Sequence, residues 1–253
     1  MIYKFYYFEV MNLFRDRHFK EIKFLKFRGY IFHMLKAITF DLDQTLIDFL
    51  KFKRKATAAA ASAMIKAGFK GSRKRLEKDL FDFYLKHGIE SNDAFQRYLK
   101  KHDSYNDRIL AAAVNAYVKT KYENIKPYPK VRSTLKSLKK RGYKLAIITD
   151  APRLKAYMRL DEMGIADYFD VVVGIEDTGR LKPSKLPFKK ALKALKVKPS
   201  EAMHVGDWRD RDILGAKRMG MKSCMAHYAD LHQGRKVWAD YYIDRIEDIL
   251  KVV

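Results

Sequence analysis

Between Val131 and Ala226 the chain runs through four successive helix-then-strand units. These are Val131–Arg141 into Lys144–Ile148, Arg153–Met163 into Val171–Val173, Leu186–Leu195 into Ala202–Val205, and Asp212–Met219 into Lys222–Ala226. Gly142, Gly164 and Gly220 end three of the helices, where a left-handed residue without a side chain closes a helix at little cost. Strands that alternate with helices of this length cannot pair as hairpins. They pair side by side through crossover helices, which predicts a parallel sheet in an α/β core. Tyr241–Ile243 and Ile246–Leu250 extend the series.

One more strand comes from upstream. Leu35 to Phe40 is a run of apolar or β-forming residues that stops at Asp41, the pattern of a buried strand. From about 49 to 125 the character is helical. The Ala-rich stretch Lys55–Ala67 is a strong helix former closed by Gly68. Leu76, Leu80, Phe83 and Tyr84 share one helical face, Ser91 stands before Asp93–Lys101 as a helix cap, and Ile109, Val114, Tyr117 and Val118 mark a further helix. All six prolines lie between 127 and 199. The expected organisation is therefore a core of residues 34–48 and 126–253, with an all-helical cap domain of residues 49–125 inserted after the first strand.

Residues 1–33 stand apart. Basic and aromatic residues are mixed there, and Lys4, Glu9, Arg15 and Asp16 interrupt any apolar run of signal-peptide length. The expectation is an extension to a fold that starts at Met34. The lone cysteine, Cys224, rules out a disulfide framework and a cysteine-based zinc cluster, and with no apolar stretch near the ~20 residues of a membrane-spanning helix the chain is expected to be cytoplasmic. Lys and Arg number 53 against 30 Asp and Glu, a formal net charge of +23. Such a field draws anions, phosphorylated metabolites among them. The basic residues are spread along the whole chain, so no specific nucleic-acid site is expected, and no membrane partner.

In open parallel sheets ligands bind beyond the carboxyl ends of the strands. The first strand ends in Asp41-Leu42-Asp43-Gln44-Thr45 and the second in Thr149-Asp150. The loop after the third carries Lys182-Pro183, and the fourth runs into Gly206-Asp207 and on to Asp212. Each motif alone is weak, since a carboxylate after a strand is commonly a helix cap. Together, in order, at matching strand ends, they gather carboxylates, a hydroxyl and a lysine at one edge. Converging carboxylates repel one another unless a cation joins them, and an all-oxygen donor set suits Mg²⁺. Carboxylates, Mg²⁺, a lysine and a hydroxyl are the parts of a phosphoryl-transfer site. One Asp can attack phosphorus, and a second, two residues on, can move the proton.

Over residues 34–253 the chain resembles the haloacid dehalogenase (HAD) superfamily. Asp41-Leu42-Asp43-Gln44-Thr45-Leu46 resembles its first motif and Ile147-Ile148-Thr149-Asp150 its second. Lys182-Pro183 resembles the third, and Gly206-Asp207 with Asp212-Ile213-Leu214-Gly215-Ala216 the fourth. Within it the chain is similar to archaeal phosphatases of the glyceraldehyde 3-phosphate type. The resemblance implies a Rossmann-like core, with Asp41 as nucleophile and Asp43 as general acid and base. It implies Thr149, Asp150 and Lys182 around the phosphoryl group, and Mg²⁺ held by Asp41, the Asp43 carbonyl, Asp207 and Asp212. Gln44, Asp150 and Trp208 depart from the commonest residues of the pattern, and Trp208 is expected to pack in the core. His204 is expected to be a core residue, His227 and His232 to bind no zinc, and Lys51, Lys53 and Arg54 to be a solvated helix start.

The expected function is Mg²⁺-dependent hydrolysis of a small phosphorylated metabolite, glyceraldehyde 3-phosphate or a phosphoglycolate-like compound, through an aspartyl phosphate. The alternatives are a haloacid dehalogenase or phosphomutase of the same fold, or a basic nucleic-acid-binding protein with a non-catalytic core. Asp43 argues against the dehalogenase, because halide leaves without a proton.

Overall fold

The computed structural model describes residues 35–229 and 237–253, and ahead of them the backbone of 26–27 and 30–31. Lys26–Phe27 and Tyr30–Ile31 pair antiparallel, with Lys26 opposite Ile31 and Phe27 opposite Tyr30. The expected start at Met34 and the reading of His232 lie outside the described residues.

Residues 35–253 are built on a six-stranded sheet. Its strands are β1 (Ala37–Phe40), β2 (Lys144–Ile148), β3 (Val171–Val173), β4 (Ala202–Gly206), β5 (Lys222–Ala226) and β6 (Tyr241–Ile243), in the order β3-β2-β1-β4-β5-β6. All neighbours are parallel. The strand that comes first in the chain lies at the centre, paired to β2 on one side and β4 on the other, with Phe40 opposite both Ile147 and Val205. Every residue of β1 is buried, as a strand covered on both faces requires. Side chains alternate across the sheet: Ile38, Phe40, Leu145, Ile147, Met203 and Val205 join one apolar cluster, and Ala37, Ala146, Ile148 and Ala202 join the other with Phe188. The segment Ile246–Leu250 does not extend the sheet. It folds within a 3₁₀ turn, Ile246–Lys251, and buries Ile246 and Ile249.

In the insert after β1, residues 49–125, the chain forms four helices: α1 (Phe49–Lys66), α2 (Arg73–His87), α3 (Ala94–Lys101) and α4 (Asp107–Asn124). The first starts at Phe49, six residues ahead of the Ala-rich stretch, because Asp48 caps it: its Oδ1 accepts from the Lys51 amide at 3.0 Å. Asn106 caps α4 in the same way, accepting from the amides of Arg108 and Ile109. The four helices share a core of their own, in which Met64, Leu80, Phe95 and Leu99 are buried. The remaining helices, α5 (Val131–Lys140), α6 (Arg153–Glu162), α7 (Lys185–Leu195) and α8 (Leu214–Met219), are the crossovers between the strands.

Candidate active site

The order 3-2-1-4-5-6 reverses direction between β1 and β4, and a crevice opens at the carboxyl ends of the strands where such a reversal occurs. The sequence candidates converge there. Asp41 follows β1 directly, its amide donating to Val205 O at 2.9 Å, and Asp207 follows β4. Gln44 has φ of +63°, the left-handed turn that makes glycine common at this place. Its side chain is used as well: Oε1 accepts from the Leu50 amide at 3.0 Å and so ties the turn to the start of α1.

Carboxylate oxygens of Asp41, Asp207 and Asp212 lie within 4.8 Å of one another, and all three side chains are buried. Asp212 reaches the group because the chain after β4 makes a π-helical turn, Arg209–Ile213, before α8. Its Oδ2 accepts from the Trp208 amide at 3.0 Å and its Oδ1 takes a hydrogen bond with His204 Nε2 at 3.1 Å. Lys182 Nζ donates to Asp41 Oδ1 and to Asp212 Oδ1, both at 2.6 Å, and to Ile148 O at 3.0 Å. The peptide after it, Lys182–Pro183, is cis. Thr45 Oγ1 donates to Asp207 Oδ1 at 3.0 Å.

One ammonium cannot balance three buried carboxylates. Burial pushes the Asp41 carboxyl up to about 8, against the pull of Lys182 and with the push of Asp212 and Asp43. Burial, then the charges of Asp41 and Asp212, raise Asp207 well above the usual carboxylate range. Burial acts upward on Asp212 too, but Lys182 and His204 outweigh it and hold that carboxyl low. Burial works against the Lys182 charge, and Asp212 and Asp41 more than restore it. An excess of negative charge on a small, all-oxygen donor set fits a hard divalent cation.

Asp43 points elsewhere. Its Oδ2 accepts from Arg159 Nη1 of α6 at 3.0 Å. Burial lifts its carboxyl to about 6, with Arg159 acting in the opposite sense. Arg159, itself 2% exposed, also pairs with Glu90 from the loop between α2 and α3, and Lys155 one turn earlier binds the same glutamate through its carboxylate and its carbonyl. Thr149 is buried, its Oγ1 accepting from the Ala151 amide at 3.1 Å. Asp150 is in the group but its oxygens are engaged: one accepts from the Lys182 amide and the other from Arg211 Nη1, both at 2.8 Å.

Two expectations change, those for Trp208 and Lys53. Trp208 is half-buried rather than packed in the core, with the Arg211 guanidinium 4.0 Å from its ring centroid. His204 is a core residue as expected, yet it also touches the site through Asp212 and holds Thr39 Oγ1 at 2.8 Å. Lys51 and Arg54 are exposed, but Lys53 is buried, for it lies on the face of α1 that carries Phe49, Phe52, Ala56 and Ala60. Arg159 was missed for the same reason. It sits on the buried stripe of α6 with Ala156 and Leu160, and the helical spacing that marks that stripe was the signal.

The haloacid dehalogenase-like hydrolase family matches residues 38–226. A glyceraldehyde 3-phosphate phosphatase of Pyrococcus furiosus is 37% identical over 223 residues, 87% of this chain and 93% of that one. A phosphoglycolate phosphatase of Aquifex aeolicus is 29% identical over 87% of this chain and 97% of its own length. Among solved structures, a HAD phosphatase from Thermococcus onnurineus superposes with a TM-score of 0.63 at 26% identity, over 86% of this chain and 97% of that one. On the family match, the shared sheet and the relatives' identity, the chain belongs to the haloacid dehalogenase-like hydrolase family.

Proposed function

We propose that the chain is a Mg²⁺-dependent phosphomonoester hydrolase that works through an aspartyl phosphate on a small phosphorylated metabolite. The observation that carries the reading is the position of Asp41: buried at the sheet's switch point, against Lys182 and within 4.8 Å of Asp207 and Asp212. The phosphatase names of its relatives support it.

In this reading a carboxylate oxygen of Asp41 attacks phosphorus while the bond to the ester oxygen breaks. Asp43 gives that oxygen its proton, so that the product departs as the neutral alcohol and Asp43 is left as the carboxylate. A water then loses a proton to Asp43 and attacks the same phosphorus, which frees phosphate and regenerates Asp41. Lys182 lies on the attacking carboxylate and offsets charge that grows on the phosphoryl oxygens, and the Thr149 hydroxyl donates to the same oxygens. Asp150 positions Lys182 through the amide it holds. Asp41, Asp207 and Asp212, with the Asp43 carbonyl, would hold Mg²⁺. Bound there, the ion offsets the charge of the carboxylates and of the phosphoryl group.

The helical insert of residues 49–125 serves as a cap over this edge of the sheet. Glu90 of the insert, joined to Arg159 of the core, is the contact by which it shuts water out. Phosphate release from a panel of phosphorylated metabolites, with Mg²⁺ and with EDTA, tests the reading. Release that depends on Mg²⁺ and is nearly abolished in Asp41→Asn is expected. Equal release in EDTA, or from Asp41→Asn, contradicts it.

A further inference from the structure

Beyond the reacting aspartates, on the insert side of Asp43, lies a second group of charges. Lys53 is 3% exposed and has no carboxylate partner within ion-pair distance among the described residues. Its ammonium donates to Tyr117 Oη at 2.7 Å and stands 3.8 Å from the Tyr84 ring centroid. An ammonium has three donors, and the hydroxyl takes one. Aromatic faces ease a buried cation, but they do not replace a counter-ion.

The neighbours sharpen the imbalance. Glu90 is engaged by both Arg159 and Lys155. Three cations, Lys53, Lys155 and Arg159, thus face two carboxylates, Glu90 and Asp43, and Asp43 is needed for the reaction. The charge of Lys53 is felt at both of those carboxylates. Two buried polar atoms here have no hydrogen-bond partner among the described residues: Arg159 Nε, a donor, and Asp43 Oδ1. Buried polar atoms are nearly always satisfied, so an orphaned donor beside an orphaned carboxylate oxygen marks where a bound molecule completes the set. The site needs an oxygen that takes a proton from Asp43 and an anionic group that takes the surplus N–H donors.

We propose that Lys53 and Arg159 bind a carboxylate carried by the leaving alcohol, so that the substrate class is the phosphate monoester of a short hydroxy acid rather than of a hydroxy aldehyde. The inference rests on the phosphatase reading and deepens it. A carboxylate one or two carbons from the ester oxygen places one anion in the Asp41 site and the other among the unbalanced cations. A neutral aldehyde leaves the Lys53 charge without a partner. Lys53 is then a specificity-determining residue, and the two tyrosines that flank it fix its position.

The test is binding of phosphoglycolate and of ethyl phosphate to Asp41→Asn with Mg²⁺, measured by calorimetry. The two ligands share the phosphoryl group and differ in the carboxylate. A preference for phosphoglycolate is expected, falling about tenfold to a hundredfold on adding Lys53→Met, and falling in the same sense on adding Lys53→Gln, which keeps a polar group there if the apolar variant is poorly folded. Equal binding of the two ligands to Asp41→Asn overturns the inference, and so does a preference that survives both Lys53 variants. No phosphate release from any ester by the unaltered enzyme would bring down the phosphatase reading itself, and this inference with it.

Discussion

The carboxylate of Asp212 occupies the space that a side chain at Gly206 would need: a Cβ built there falls 2.3 Å from Asp212 Cγ and 2.4 Å from its Cβ. The end of β4 is thus shaped around a residue six positions later, delivered by the π-helical turn. From this position Asp212 holds Lys182, and Lys182 holds Asp41. Gly206→Ala is expected to push Asp212 away and loosen both contacts. A misplacement of this kind costs about a hundredfold in turnover, and the Mg²⁺ concentration for half-activity should rise with it. Phosphate release against Mg²⁺ concentration, alongside the melting temperature, separates this from simple unfolding. A folded variant within threefold of the parent in both would show that Asp212 has no such task.

Asp43→Asn distinguishes proton donation from metal binding. Alkoxide leaves phosphorus poorly without a proton, and general-acid help is worth about 10²–10⁴-fold. The variant should lose that factor on an alkyl phosphate and lose less on p-nitrophenyl phosphate, whose phenolate leaves unaided. Mg²⁺ binding should persist, because the backbone carbonyl at 43 is unchanged. Equal losses on the two esters would take the acid role from Asp43.

The sheet was legible because its determinants are local. A buried strand, a glycine-ended helix and an Asp at a strand end are each written within a few residues, and the order of the motifs places Asp41, Thr149, Lys182 and Asp207 on one edge. What was not legible depends on contacts between distant segments. Lys53 and Arg159 are charged residues on apolar stripes, and a charge in a stripe is ordinarily read as its solvated margin. Only the meeting of α1, α6 and the loop at Glu90 shows that both are buried. Trp208 misled in the opposite direction: an indole suggests the core, but Arg211, three residues on, covers it at the surface.

The Asp43–Arg159–Glu90 chain also bears on stability. Removing one member of a buried ionic group leaves its partners uncompensated, which costs about 3–5 kcal/mol when burial is complete. Glu90 and Asp43 keep roughly a quarter of their side-chain surface, so Arg159→Met should fall at or below the low end of that range. Glu90→Gln added to Arg159→Met should recover part of the loss, since one stranded charge is then gone. Urea unfolding of the two single variants and the double variant gives the coupling directly. Additive losses would mean that the two residues do not act as a pair.

Lys53 predicts a stability that depends on pH. Burial lowers its ammonium from 10.5 to about 7, with Glu90 opposing and Arg159, Lys155 and Lys121 adding to the effect. Below pH 7 the folded protein carries this charge at a cost. Between pH 7 and 10.5 the unfolded chain keeps a proton that the folded chain has released, so stability rises with pH across that window, by at most about 1.4 kcal/mol per pH unit from this one group. Above 10.5 the contribution is constant. Lys53→Met removes the buried charge and keeps the length of the stem. It should therefore be more stable than the parent at pH 6, by about 1–4 kcal/mol, and the gap should close as pH approaches 10. Urea unfolding of both proteins from pH 6 to 10, read as the difference at each pH, measures it. A difference that stays constant across the range would show that the ammonium remains charged in the folded protein throughout, and that the two tyrosines and Glu90 support it without loss.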